Sequence, residues 1–317
     1  SSPLDGCDCT GDAVRALAEG YVDEIAVRAA GGDGWDAAAR FPEVGGGTIV
    51  AELRAEAVEE GVERKRHGKY AGPDEDGAWR FEDDEALDDR GKGMMEPSAA
   101  EWAQLERLAE AYRVERGMHD FRMIDAARRY GSGVASLPAV RYYVLWDRGA
   151  EGTEDDGLMQ LREVVDPPAV PGLVSSVPGL FDDNAARLHD GPRMLWSHGD
   201  VDEVLAGLTD GNQAFKATNT SSWFQDVDHV DVADLWGGND IEAEDLSAFA
   251  EVLGRALASA HARGATASGA DPLTAIADSL DGAEQAFVDR RVADAEDDLE
   301  RLQGDHALLL DLIDEHG

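Results

Sequence analysis

"AVRYYVLWDRGAEGTEDDGLMQLREVV", residues 139–165, decides the fold class. Two runs rich in aromatic and branched apolar residues, "AVRYYVLWD" and "GLMQLREVV", flank the acidic turn "RGAEGTEDD". That pattern predicts an antiparallel hairpin. Alternation along the second run sets Met159, Leu161 and Glu163 on one face, and Gln160, Arg162 and Val164 on the other. Further strands are expected at "NQAFKATN" and "SSWFQDVDHVDVADLW".

Working outward, helical spacing takes over on both sides. Residues 12–30 place Val14, Leu17, Tyr21, Val22, Ile25 and Ala26 on one stripe, with Asp12 at the N-cap or in the first turn. "TIVAELRAEAVEEGVERKRHG" predicts a second helix ending at Gly68, and "SAAEWAQLERLAEAYRVE" a third. Ser98 and Glu101 have the spacing of a capping box. Residues 71–97 are acidic and broken by Gly and Pro, as in a long surface loop. After the sheet, "AEDLSAFAEVLGRALASAHARG" sets Leu246, Phe249, Leu253 and Leu257 on one stripe, with Gly264 as a stop. The segment from Asp271 to the C-terminus also reads as helix. The order helices, small sheet, helices predicts an α+β protein. The expected division is 1–128 as the first part of a helical lobe, 129–245 as a β-rich lobe and 246–317 as the second helical part.

Composition narrows the partners. The 317 residues hold 67 Asp and Glu against 28 Lys and Arg, a formal net charge of −39. The excess is spread along the chain, and only four lysines occur: Lys65, Lys69, Lys92 and Lys216. Such a chain repels itself in dilute buffer, and molar salt, with a Debye length of about 3 Å, screens that repulsion. This is the pattern of a protein from a salt-in halophile. No basic stripe is available for nucleic acid, and anionic membranes are disfavoured for the same reason. No apolar run reaches the roughly 18–20 residues of a membrane span, and the first residues lack a secretory signal. Cys7 and Cys9 are read as reduced, so the expected location is the cytoplasm. A homo-oligomer or a protein partner stays open.

Five stretches could carry chemistry. "GSGVAS" offers Gly131 and Gly133 for close backbone approach to a phosphate, with Ser132 and Ser136 as donors; an ordinary turn has the same composition. Arg162 stands where a strand cation could meet phosphates; a solvated strand arginine is the plain reading. His261 and Arg263 fall near a helix end, where cations suit the dipole. Asp231, Asp234 and Asp240 could hold a metal, although solvated carboxylates are the default in so acidic a chain. "HGD" at His198–Asp200 resembles an aminoglycoside-kinase catalytic loop, but Leu205 stands where that loop needs asparagine.

Five segments in order resemble the domain-of-unknown-function family 2252, a kinase-like family. "DCTGDAVRAL", with Asp12 and Arg15, is similar to its "CTWDLVRFL". "GVASLPAVRYYVLW" is similar to "GTGSLGLERYVLL", and "LMQLREV", with Arg162 and Glu163, to "LLDLKEA". "NAARLHDGPRML" and "LASAHARG" follow. The resemblance implies a circularly rearranged, two-lobed protein-kinase-like fold with a small antiparallel β-lobe between helical segments. It also implies ATP and magnesium as possible cofactors. The departures lie in Ala135 and Pro138 at glycine positions and Arg162 at a lysine position. Ser1, Ser2 and Pro3 stand where the family's "DFDE" should end. Phosphoryl transfer needs a carboxylate-held metal and a positioned base. The expectation is therefore a catalytically silent binding or assembly module. The alternatives are a small-molecule phosphotransferase with its catalytic parts upstream, or a structural, oligomer-forming protein.

Overall fold

Side chains along β5 (Arg141–Asp147) alternate strictly: Tyr142, Val144 and Trp146 enter one apolar cluster, Tyr143 and Leu145 another. A strand buried on both faces belongs in the middle of a sheet. β5 does so in a six-stranded antiparallel sheet, in the order β3-β4-β5-β6-β8-β7. The other strands are β3 (Gly93–Met95), β4 (Arg122–Tyr130), β6 (Gly157–Val164), β7 (Ala206–Asp210) and β8 (Gln213–Asn219). This is a computed structural model, and it describes residues 9–32, 34, 47–63, 65–82, 84, 86–88, 91–131, 139–147, 157–164, 181, 183–195, 204–220, 241–267 and 272–316. The architecture is mixed α+β, as the order of patterns predicts.

Contacts divide the chain into two compact units. One, the helical unit, comprises Ser1–Ala55, Leu195–Ser197 and Asp226–Gly317; the other, the sheet unit, comprises Glu56–Met194 and His198–Gln225. The helices are α1 (Cys9–Ala29), α2 (Gly47–Glu63), α3 (Lys65–Tyr70), α4 (Ala99–Arg116), α5 (Asn184–Leu195), α6 (Ala243–Ala267), α7 (Pro272–Leu280) and α8 (Glu284–His316). Within 71–97, where a loop is expected, lie β1 (Ala71–Pro73), β2 (Trp79–Phe81) and β3. β1 and β2 pair as a hairpin across the turn at Gly77. Helix extends past Gly68 to Tyr70 and past Gly264 to Ala267, beyond both expected stops. The strands expected within 221–236 fall outside the described residues.

In the sheet unit, α4 covers one sheet face. Its Leu105, Leu108 and Tyr112 pack with Tyr142, Trp146, Leu161 and Phe215, all buried. Each such side chain contributes about 1.5–3 kcal/mol by leaving water. Ser98 caps α4, accepting from Glu101 N while the Glu101 carboxylate accepts from Ser98 N at 2.9 Å. Gly117, with φ of 63°, ends the helix in the left-handed region. A polar seam also fixes α4 on the sheet. Arg107 donates twice to Asp210, at 2.7 and 2.9 Å, and Gln104 donates to Asp210 and to Gln213. The Tyr142 hydroxyl donates to Gln104 at 2.9 Å.

β4 carries a bulge. Met123 faces Trp146 and Asp125 faces Leu145, so Ile124 is an extra residue on its strand. Met123 and Ala126, three apart, therefore join the same α4-side cluster, while Ile124 and Ala127 join the other. Asp125 accepts a hydrogen bond from Phe81 N at 2.8 Å, tying the hairpin to the bulge.

In the helical unit, α1 and α6 approach closely because neither has a side chain at the crossing. A Cβ on Gly254 would collide with the Leu17 carbonyl oxygen, and one on Gly20 would press on Glu251. Ala18, Val22, Ile25, Ala258, Leu280 and Val288 form the core. Glu24, only 1% exposed, accepts from Arg28 at 2.7 Å and from the Ser259 hydroxyl at 3.2 Å. Arg28 also donates to Ser259 at 2.8 Å, so a buried ionic knot joins α1 to α6.

Candidate functional site

Register, rather than sequence proximity, assembles the most distinctive group of side chains. Arg141 on β5 lies opposite Arg162 on β6, and Arg162 lies opposite Lys216 on β8. Neighbouring strands lie about 4.8 Å apart, so three cations cross the sheet in one row. By alternation, the row shares its face with Tyr143 and Leu145 and lies away from α4. Arg129 of β4 joins this face, opposite Met94 of β3. Its guanidinium lies 5.9 Å from the Tyr70 ring, and that ring lies 5.1 Å from Tyr143. The face thus combines a tilted Tyr70–Tyr143 pair with a row of cations.

The electrostatics are those of crowded like charges. Partial burial, and then the neighbouring Arg162 and Arg129, lower the proton affinity of Arg141. Burial raises the Tyr143 phenol, with a further push from Tyr70, so it stays neutral. On the opposite face, burial and Glu101 push Tyr142 up to about 12. Like charges directly opposite one another destabilise a sheet. In a chain with 67 acidic residues, gathering cations here is chemically specific. Each guanidinium can grip an oxyanion through two parallel N–H bonds.

The candidates read from the sequence separate into two groups. Gly131 directly follows β4 with φ of 69°, and a Cβ there would run into Lys92 and the Gly91 carbonyl. Its glycine is thus required by local backbone geometry. It opens the β4–β5 connection, which starts two residues after Arg129 and ends at Arg141. Arg162 is exposed on the cationic face. Glu163 is on the other face: it accepts from Gln213 Nε2 at 2.8 Å and from Val140 N at 2.9 Å. Arg162 and Glu163 therefore do not meet.

The second group belongs to the helical unit. Asp12 is exposed in the first turn of α1. Arg15 donates to Asp289 at 3.0 Å, and His261 Nδ1 lies 2.9 Å from the Tyr21 hydroxyl. Arg263 is depressed by burial and then by Arg28, with Glu24 opposing, which places it beside the ionic knot. Ser132, Gly133, Ser136 and Asp240 lie outside the described residues, as do Ala135, Pro138, Asp231, Asp234 and His198–Asp200. So does Cys7. Among the described residues, no three His, Cys, Asp or Glu side chains form a metal-binding group. No described helix is long and apolar enough to cross a membrane.

Sequence reasoning reached Arg162 but missed Arg129, Arg141 and Lys216. The available signal was Lys216, one of only four lysines, standing inside the recognised strand "NQAFKATN". Pairing β6 with β8 would have exposed the row.

No curated protein and no solved structure matches the chain. Residues 7–311 match a family profile described as an uncharacterized protein conserved in bacteria, domain of unknown function 2252. That span covers nearly the whole sequence and includes every described strand, so the chain belongs to this family.

Proposed function

We propose that this protein is a kinase-like, catalytically silent module that holds the polyphosphate of a nucleotide such as ATP on Arg129, Arg141, Arg162 and Lys216. The opposed row Arg141–Arg162–Lys216 carries the reading. A polyanion bridging the row would offset the repulsion between its opposed cations. The half-buried Tyr70 ring beside Arg129, tilted 56° to Tyr143, offers an aromatic contact for a base. The β4–β5 connection, glycine-bearing in sequence, starts and ends at this edge of the sheet. Silence is supported by Glu163, which spends both carboxylate oxygens on the opposite face.

The test is a thermal shift in about 2 M KCl, where only contact-range charge pairs survive screening. ATP, ADP and inorganic tripolyphosphate are each titrated, with and without magnesium. All three should stabilise the protein, by about 2.7 kcal/mol at a hundredfold excess over Kd. R141Q/R162Q should lose that response while keeping its fold. No stabilisation by any polyphosphate would refute the binding site. Sustained ATP turnover abolished in the same variant would refute silence and leave a phosphotransferase.

The acidic surface is proposed to be an adaptation to molar salt. The melting temperature should fall steadily on dilution below about 1 M KCl, as carboxylate repulsion returns. An unchanged value between about 0.1 and about 3 M would refute the adaptation.

A further inference from the structure

A pocket of about 710 Å³ opens inside the helical unit, between α1, α6, α7 and α8. This is within the range of small-molecule sites, roughly 300–1,000 Å³. Its walls are mostly apolar: Leu17 of α1, Leu257 of α6, Ile276 of α7 and Phe287 of α8. Polar groups enter at two places. The Tyr21–His261 pair forms one, with a phenol that burial keeps protonated. Arg290 and Arg291, adjacent on α8, form the other.

The two arginines identify the ligand's charge. Their side chains are 75% and 45% exposed, and both reach the single carboxylate of Asp294, at 4.0 and 2.7 Å. One carboxylate already sits against this pair, and a guanidinium has five donors, so each retains capacity for another oxyanion. At molar salt the long-range repulsion of the acidic chain is screened, and contact with these guanidiniums decides which head group is accepted. The Phe287 ring, 6.0 Å from Tyr21 and 5.6 Å from the Arg291 guanidinium, gives the body of a ligand an aromatic wall next to the cation.

From the apolar walls and this paired-arginine mouth we infer that the pocket binds a small amphipathic anion, an apolar chain or ring ending in a carboxylate. This inference stands apart from the polyphosphate reading, because it uses different residues and a different unit.

The experiment compares three probes of equal length and different head group: octanoate, octanol and octylammonium. Each is titrated by calorimetry into the full chain in about 2 M KCl, below its aggregation concentration. Octanoate should bind saturably, roughly tenfold tighter than octanol, equivalent to about 1.4 kcal/mol, and octylammonium weakest. R290Q/R291Q should bring octanoate down to the level of octanol. Ala286 lines the pocket yet is exposed, so A286W should keep the helical circular dichroism and weaken both octanoate and octanol. Octylammonium binding as well as octanoate would overturn the inference, as would a native affinity in A286W or no saturable binding by any probe. A normal ATP shift alongside absent octanoate binding would fail this inference and spare the nucleotide site.

Discussion

The two units are held together in opposite ways. The sheet unit buries large neutral side chains on both faces of β5 and sets a row of cations across one face. The helical unit draws α1 and α6 together through two glycines and seals them with a buried ionic knot, leaving an apolar pocket nearby. Desolvated charge is costly and demands complete pairing, while close apolar packing loses stability with the volume removed. The comparison therefore teaches where each unit is brittle. The sheet unit should respond to lost volume, and the helical unit to lost charge balance.

The largest test is Phe215→Ala. Phe215 is fully buried between β8 and α4 and stacks 6.5 Å from Tyr142. Its removal should cost about 3–5 kcal/mol, read from urea denaturation followed by tyrosine and tryptophan fluorescence. Next comes Glu24→Ala, which removes the buried carboxylate that both Arg28 and Ser259 donate to and should cost about 3 kcal/mol. A Glu24→Ala loss below about 1 kcal/mol would erase the contrast between the units. Smaller still is Ser98→Ala, which removes the capping box of α4 and should cost about 1 kcal/mol in the same urea measurement.

The smallest effect concerns pH. Hydrogen bonds from Arg107, then Gln104, hold the Asp210 carboxyl below its ordinary value. A depressed carboxylate contributes stability above its unfolded pKa and loses it as pH falls through the folded one. Stability of the sheet unit should therefore decline on the acid side of about pH 4. Asp210→Asn should flatten that limb. An unchanged acid limb in the variant would remove this seam from the account of how α4 is held.

What was legible follows from where local chemistry agrees with the fold. The β5–β6 hairpin announces itself because both strands alternate without interruption. α4 does so because Ser98, Glu101 and Gly117 mark its ends. β4 was hidden: "RMIDAARRY" contains the bulge, which breaks the alternation that would reveal a strand. β1, β2 and β3 are three residues each, too short for periodicity to emerge from an acidic segment. β7, "AGLTD", is similarly brief, and a Cβ on its Gly207 would strike the Ala185 carbonyl of α5. The candidate site was legible only at Arg162, because its neighbours come from strands distant in sequence and meet through register. The helical pocket left no motif, since its arginines read as ordinary members of an exposed α8 face.

The bulge at Ile124 has a consequence beyond β4 itself. Restoring even alternation by straightening the bulge while keeping all nine residues of β4 would force one end of the strand to turn inside out. Either Met123 would leave the packing beneath α4, or Arg129 would rotate toward Leu105 and surrender its place beside Tyr70 to Arg128. Which arginine the ligand-facing surface presents is therefore a matter of parity, set by one inserted residue upstream and not by the arginines themselves.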